Sequence, residues 1–306
     1  MQTLSAFYES VFGCKTYKIS LDAGCTCPNR DGSKGRGGCI FCSQAGSGDF
    51  AAGRNFTITE QIEQGKKLVE NKLRGRSGER RGKYIAYFQS FTSTYGEAEL
   101  LLSKYRESLN VDGVTGLAVA TRPDCLSDTI LSGLADISQS HFVQIELGLQ
   151  TSNEITGQLI NRCYTNQDYI DAACRIRKAA PEIHIVTHLI FGLPGETEED
   201  MLNSVKFVID NNEKKWGLKI TSLYILKNTR LASMYEAGEY QPLTKEQYFE
   251  LLQKALPLLP ENCVVHRLTG DPPKSLLIAP TWTTDKKRVL NDLLTLLKSH
   301  NKILLL

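Results

Sequence analysis

The sequence has almost no excess of charge of either sign. Among 306 residues, 36 are Lys or Arg and 34 are Asp or Glu, a formal net charge of +2. A global electrostatic pull toward nucleic acid is therefore absent, although a local basic patch remains open. Long apolar runs are also missing. The opening MQTLSAFYESVFGCKTYK carries Glu9 and has no apolar core, so it reads as neither a secretory signal nor a membrane span. Without an export signal the expected compartment is the reducing cytoplasm, where structural disulfides are rare. The cysteine count of 9 is odd, which argues further against full pairing. No internal repeat or low-complexity tract is evident, which removes solenoids. What remains is 41% apolar and 23% charged, the composition of an ordinary globular protein with room for one large domain or two small ones.

Short β-branched or aromatic runs alternate with stretches at helical spacing. The runs are YKISLD (17–22), YIAYF (84–88), GLAVAT (116–121), FVQIEL (142–147), IHIVTHLIF (183–191) and LKITSLYIL (218–226). Helices are predicted near 57–73, 97–109, 127–138, 166–180, 197–211 and 244–256. Several runs are apolar almost throughout, as in strands covered on both faces. Strict alternation implies an α/β fold with right-handed crossovers. A barrel and an open doubly wound sheet both satisfy it. After residue 226 the pattern changes, so residues 1–226 are expected to form the core. Residues 227–306, with the helix near 244–256 and a last helix from about 285, are expected to pack on it as an extension rather than a separate domain. One segment, 66–83, carries eight basic residues against two acidic ones. Its RGRSGERRG is expected to be an exposed loop, either solvated or in contact with phosphates.

The chemistry concentrates in CTCPNRDGSKGRGGCIFC (25–42), with Cys25, Cys27, Cys39 and Cys42 around a loop of glycine and charge. Cys39 and Cys42 have the spacing of one metal knuckle, which suits zinc and iron alike. Cys25 and Cys27 are one residue apart, so in extended chain they face opposite ways. If one is excluded, three thiolates remain, too few for a closed structural zinc site. Three suit a four-iron cluster with one iron open. Spacing alone leaves zinc and iron–sulfur both standing. Cys14, Cys125, Cys163, Cys174 and Cys263 have no ligand spacing and read as small fillers.

Six stretches, taken in order, resemble the YtqA/YhcC-type radical S-adenosylmethionine (SAM) proteins, beside the elongator-like branch of that superfamily. They are TCPNRDGSKGRGGCIFC, YFQSFTSTY (87–95), TRPDCL (121–126), VQIELGLQTSNEITGQLINR (143–162), THLIFGLPGETEEDM (187–201) and HRLTGDPPKSLLIAPTW (266–282). The resemblance implies a partial (β/α)6 TIM-type barrel with a short C-terminal extension. It implies a [4Fe–4S] cluster on Cys27, Cys39 and Cys42, with Cys25 a neighbour, and SAM cleaved to a 5′-deoxyadenosyl radical that takes a hydrogen atom from substrate. Gln150 and Arg162 match its strand-four motif, with Arg162 suited to the SAM carboxylate and Gln150 to a ribose hydroxyl. Glu146, Gly148 and Gln150 alternate onto one strand face and so toward a ligand cavity. His188 and Gly192 belong to its strand-five signature, and Gln89, with Ser90 and Thr92, stands where relatives hold the SAM amino group.

The resemblance further points to wobble-uridine modification of tRNA, converting a 5-carboxymethylaminomethyl group to 5-aminomethyl. No acetyltransferase-sized stretch follows the barrel pattern, so acetyl transfer is not expected. Expected partners are tRNA and an electron donor such as a flavodoxin or ferredoxin. Arg267 is the candidate cation for the substrate carboxylate, with Asp271 as a purely structural alternative partner. Rival readings are a radical SAM enzyme for a small molecule or peptide, and a non-enzymatic zinc-knuckle protein that binds nucleic acid.

Overall fold

The computed structural model describes residues 1–73 and 82–299. The basic RGRSGERRG lies almost wholly outside them. Among the described residues ten strands are present: β1 (Gln2–Thr3), β2 (Lys15–Leu21), β3 (Gly82–Phe88), β4 (Val114–Thr121), β5 (Phe142–Gln150), β6 (His184–Phe191), β7 (Trp216–Ser222), β8 (Ile225–Leu226), β9 (Cys263–Arg267) and β10 (Leu277–Ala279). Eight form one sheet in the order β1-β9-β7-β6-β5-β4-β3-β2, and every pairing in it is parallel. The six runs expected from the sequence are β2 to β7 in chain order. The sheet exceeds that expectation by two strands. β9, from the C-terminal segment, pairs with β7, and β1 pairs with β9.

The strands alternate sharply. Ile19 and Leu21, Tyr84, Ala86 and Phe88, Leu117 and Val119, Ile145 and Leu147, and Trp216, Leu218 and Ile220 are all buried in one core beneath the helices. The intervening side chains converge on the opposite face. There Lys18 of β2, Tyr87 of β3, His188 of β6 and Lys219 of β7 all reach Glu146 of β5. Strands separated by two others in a flat sheet could not share one carboxylate, so the sheet curls into a half-barrel, an α/β architecture. Two edges remain, β1 and β2.

The helix Leu4–Phe12 closes the end of the barrel nearest the strand starts. Thr3 caps it by accepting from Ala6 N. Its Phe7 ring meets Phe142 and His184 at centroid distances of 6.0 and 4.5 Å, and Tyr8 donates to Gln144 at 3.2 Å. Helix Glu198–Asp210 starts at a capping box, Thr197 with Asp200, inside GETEED. Among the described residues no helix is long and apolar enough to cross a membrane.

Candidate active site

The four clustered cysteines follow β2, where the chain leaves the open end of the barrel. Cys27 O accepts from Arg30 N at 2.8 Å and Asp31 N at 3.2 Å, and Asp31 and Arg36 form a bridge that closes a small hairpin. Glycine is required at Gly35, because a side chain there would collide with Asn29 Oδ1 and with Cys163 Sγ at 3.0 Å. Cys42 N donates to Cys39 O at 3.0 Å, the tight turn that two residues between thiols permit.

Cys25 and Cys27 part company as their spacing requires. Cys25 is 5% exposed inside the helix-side core. Its thiol is pushed up to about 11, first by burial, and its charged neighbours are Lys104, Asp22 and Arg54. Cys39 is pushed up to about 12 by burial and then by Cys42 and Cys27, while Cys42 is raised by burial and by Cys27. The thiols of 27, 39 and 42 therefore sit within electrostatic reach of one another. Donors stand beside them: Arg122 Nη1 lies 4.0 Å from Cys27 Sγ, and Asn29 Nδ2 lies 3.8 Å from Cys39 Sγ. Among the described residues no three His, Cys, Asp or Glu side chains converge as for a single metal ion. A four-iron cube spreads its thiolates over separate irons, and a bound metal supplies the charge that deprotonates them. The donor set fits such a cluster.

The barrel interior is a charged network centred on Glu146, which is fully buried. Oε1 accepts from Lys18 Nζ and Gln144 Nε2, each at 2.5 Å. Oε2 accepts from Tyr87 OH at 2.6 Å, His188 Nε2 at 2.7 Å and Lys219 Nζ. Burial alone would raise Glu146, but Lys18 and Lys219 outweigh it and hold the carboxyl well below its usual range. Burial pulls Lys219 down to about 7 despite Glu146, and His188 down to about 4, so His188 is neutral at pH 7. Sequence alternation placed Glu146 correctly on the inner face. Its oxygens are already saturated by protein donors, which makes it an organiser of neighbouring cations rather than an acceptor for a nucleoside. His188 likewise spends Nε2 on Glu146 instead of a ribose.

The expected SAM contacts divide. Gln89 and Gln150 are half-buried at strand ends. Gln89 Nε2 donates to Ser20 Oγ at 3.0 Å. Gln150 has φ 70°, at an irregularity in the β5–β6 pairing, and its Nε2 lies 2.6 Å from where a Gly148 side chain would begin. A strained non-glycine backbone at a barrel mouth is the kind of feature that functional sites retain. Gly192 does not face the barrel. Its N–H points to Met201 Sδ, its carbonyl accepts from Tyr240 OH at 2.6 Å, and a side chain would meet Leu243 at 2.9 Å. Close packing and φ 87° account for that glycine.

Arg162 turns inward. It is fully buried, and all five of its N–H donors are taken, by Tyr164 O, Leu149 O, Thr151 O, Glu154 and Asn166. No donor is left for a carboxylate of SAM. Positive φ at Asn161 and Cys163 makes the turn that sends it there. Arg162→Ala is expected to cost roughly 3–5 kcal/mol, since three buried carbonyls lose a charged donor. Its denaturation midpoint checks this; unchanged stability with weakened SAM binding would return Arg162 to the ligand.

Arg267 is exposed at the end of β9, and among the described residues no hydrogen bond or ion pair engages it. Asp271, its possible structural partner, pairs with Lys286 instead. Arg267 lies close enough to depress Lys18 and Lys219, so it borders the same interior. Sequence reading missed Lys18, Tyr87, Lys219 and Arg122. The available signal was a lysine set between apolar neighbours in a strand, as in YKISL and LKITS. A cleft of about 860 Å³ against the cysteine loop, lined by Cys25, Ser33, Tyr95, Lys104 and Asp124 among others, includes none of these interior residues and is not the candidate site.

Known proteins place this geometry. The chain matches the Radical SAM superfamily over residues 29–208 and the Radical_SAM C-terminal domain over 215–299. It is 40% identical to protein YtqA of Bacillus subtilis over 288 residues, 94% of this chain and 86% of that one. It is 26% identical over 164 residues, 53% of this chain and 29% of the relative, to the tRNA uridine(34) acetyltransferase of Methanocaldococcus jannaschii. In fold it is similar to the archaeal Elp3 of Methanocaldococcus infernus, with TM-score 0.68 at 16% identity, covering 94% of this chain and 64% of that one, just under two thirds. The thiol arrangement, the half-barrel and the match across more than half its length agree: this chain belongs to the radical SAM superfamily and is an enzyme that works with a [4Fe–4S] cluster and S-adenosylmethionine.

Proposed function

We propose that this enzyme modifies tRNA at the wobble uridine, converting a 5-carboxymethylaminomethyl side chain to 5-aminomethyl; the methylene of the carboxymethyl unit would lose one hydrogen atom to the radical and one further electron to the flavodoxin or ferredoxin partner, and water would then release the unit as glyoxylate. The observation that carries this reading is Arg267, a cation without a protein partner at the edge of a barrel interior already rich in cations. An arginine fork there suits a carboxylate. Partial likeness to a tRNA uridine(34) acetyltransferase supports the choice of a modified uridine. The basic segment 66–83 supplies charge suited to RNA phosphates.

Cys27, Cys39 and Cys42 would hold the cluster, with Arg122 and Asn29 beside the sulfurs. When bound, the cluster and SAM supply a radical able to remove a hydrogen atom from carbon. The chain's own part is to seat the side chain at the strand ends, to order the interior through Glu146, and to present Gln89 and Gln150 beside the ligand. A flavodoxin or ferredoxin would deliver the electron.

The test is mass spectrometry of nucleosides from tRNA carrying the carboxymethylated side chain, after incubation with reconstituted enzyme, SAM and reductant. The expected result is conversion to 5-aminomethyluridine, with turnover lost in Arg267→Ala while cluster absorption is retained. Persistence of the nucleoside while SAM is cleaved would instead favour a small molecule or peptide as substrate.

A further inference from the structure

Four side-chain positions on adjacent strands stand in one hydrogen-bonded row. Gly148 of β5 pairs with His188 of β6, His188 with Lys219 of β7, and Lys219 with Arg267 of β9. Gly148 offers no side chain, so one end of the row is low. The other end is Lys219, buried in mid-strand, opposite Arg267, exposed where β9 ends; the register between these strands shifts between Leu218 and Lys219.

The charges facing this row do not balance. Among the described residues Lys18 and Lys219 pair with Glu146, the one anion here, and Arg267 adds a positive charge that no ion pair engages; burial lowers Lys219 to about 7, so it carries its proton in part at pH 7. His188 adds no charge at pH 7, because burial pulls it down to about 4. Tyr87 and Tyr8 stay protonated, raised by burial and then by Glu146. Tyr224 at the rim is pushed up to about 12 by burial. Of the acids nearest that rim, Asp271 is held by Lys286 and Asp49 accepts from Ser43 Oγ at 3.0 Å. The row therefore carries surplus positive charge in a partly desolvated site, which favours an anion entering from the mouth. In its protonated form Lys219 has three ammonium hydrogens. Glu146 and Tyr87 OH, the latter at 3.1 Å, take two, leaving one for a ligand. Arg267 has all five of its own to give.

We infer that Lys219 and Arg267 together form the seat for a single substrate carboxylate, Glu146 fixing Lys219 in place, so that charge selects a carboxymethylated side chain over its aminomethyl product. This rests on the uridine reading above and adds Lys219, the Glu146 network and a basis for product release. Removing the carboxylate removes the one group that the two cations hold.

SAM also carries a carboxylate, so the test has two arms. In the first, anticodon stem-loop RNAs bearing either 5-carboxymethylaminomethyl or 5-aminomethyl at the wobble position are titrated into the reconstituted enzyme. Wild type is expected to bind the carboxylated RNA at least about tenfold more tightly, the effect of one hydrogen-bonded charge pair. Arg267→Gln and Lys219→Gln should each reduce that ratio to below about threefold, leaving affinity for the aminomethyl RNA unchanged. Arg267→Lys and Lys219→Arg should recover part of it, which a merely structural role would not predict. Arg267 is exposed and makes no protein contact of this kind, so its variants keep the test open if Lys219→Gln fails to fold. A ratio unchanged in Arg267→Gln overturns the seat and leaves the uridine reading standing. A wild type that does not distinguish the two RNAs overturns both. In the second arm, SAM is compared with decarboxylated SAM. If the variants weaken SAM and spare the decarboxylated form, the seat belongs to the cofactor and the inference fails.

Discussion

Alanine at Cys27, Cys39 or Cys42 is expected to abolish the broad visible absorption of the reconstituted protein, and alanine at Cys25 to leave most of it. The first three thiols lie within reach of one another at the barrel mouth, and burial raises Cys39 and Cys42. They are poor nucleophiles and poor ligands until a cation draws off their protons, so the cluster's charge is part of what stabilises the loop. Removing one of three protein ligands leaves two irons without a thiolate. Cys25, in contrast, packs in the helix-side core beside Lys104 and Arg54. Iron and sulfide content of anaerobically prepared variants measures the outcome directly. Equal loss with Cys25→Ala and Cys27→Ala would overturn this ligand set.

Acid is expected to unfold the protein steeply. Three of its histidines are folded into places that reject a proton. His184 and His266 stack at the closed end of the barrel with their Nε2 atoms 2.9 Å apart, and His188 donates to Glu146. Burial, followed by the charge of Lys18, pulls His184 down to about 3; the same two causes take His266 well below its usual value, and burial takes His188 to about 4. The unfolded chain binds these protons near pH 6.5, and the folded chain does not. Their contribution to stability is therefore complete above pH 6.5 and is lost as pH falls toward the folded values. Each histidine contributes about 1.4 kcal/mol per pH unit across that window, and the three together roughly 4. Glu146, held below the usual carboxylate range, adds a further loss below pH 4.5. Urea midpoints at pH 7.5, 6 and 5 would show the slope. The double variant His184→Phe with His266→Phe keeps two stacked rings and should cut the slope to about a third. Equal stability at pH 7.5 and 5 would contradict this account.

What the sequence determined by itself was local or periodic. β-Branched and aromatic runs such as YKISLD, YIAYF and LKITSLYIL marked strands, and the period of two set Glu146, Gly148 and Gln150 on one face, because successive side chains point to opposite sides. Helical spacing marked a helix near 197–211, whose capping box of Thr197 with Asp200 the structure supplies, and the one-residue gap between Cys25 and Cys27 implied that the two would separate. The motif order carried the family. Tertiary structure alone decided what the inner face does. Glu146 finds its partners 128, 59, 42 and 73 residues away on four other strands, and only the curl of the sheet brings them to one carboxylate. The same curl admits β9 beside β7 and so sets Arg267 next to Lys219, although β9 belongs to a segment whose pattern suggested a covering rather than a wall. Arg162 shows the limit most plainly. Its place in a motif suggested a ligand, but a turn with positive φ on both sides of it aims the guanidinium at backbone carbonyls. Periodicity specifies a face, whereas the partner on that face depends on strands far away in the chain, and long-range pairing is what a local pattern does not encode.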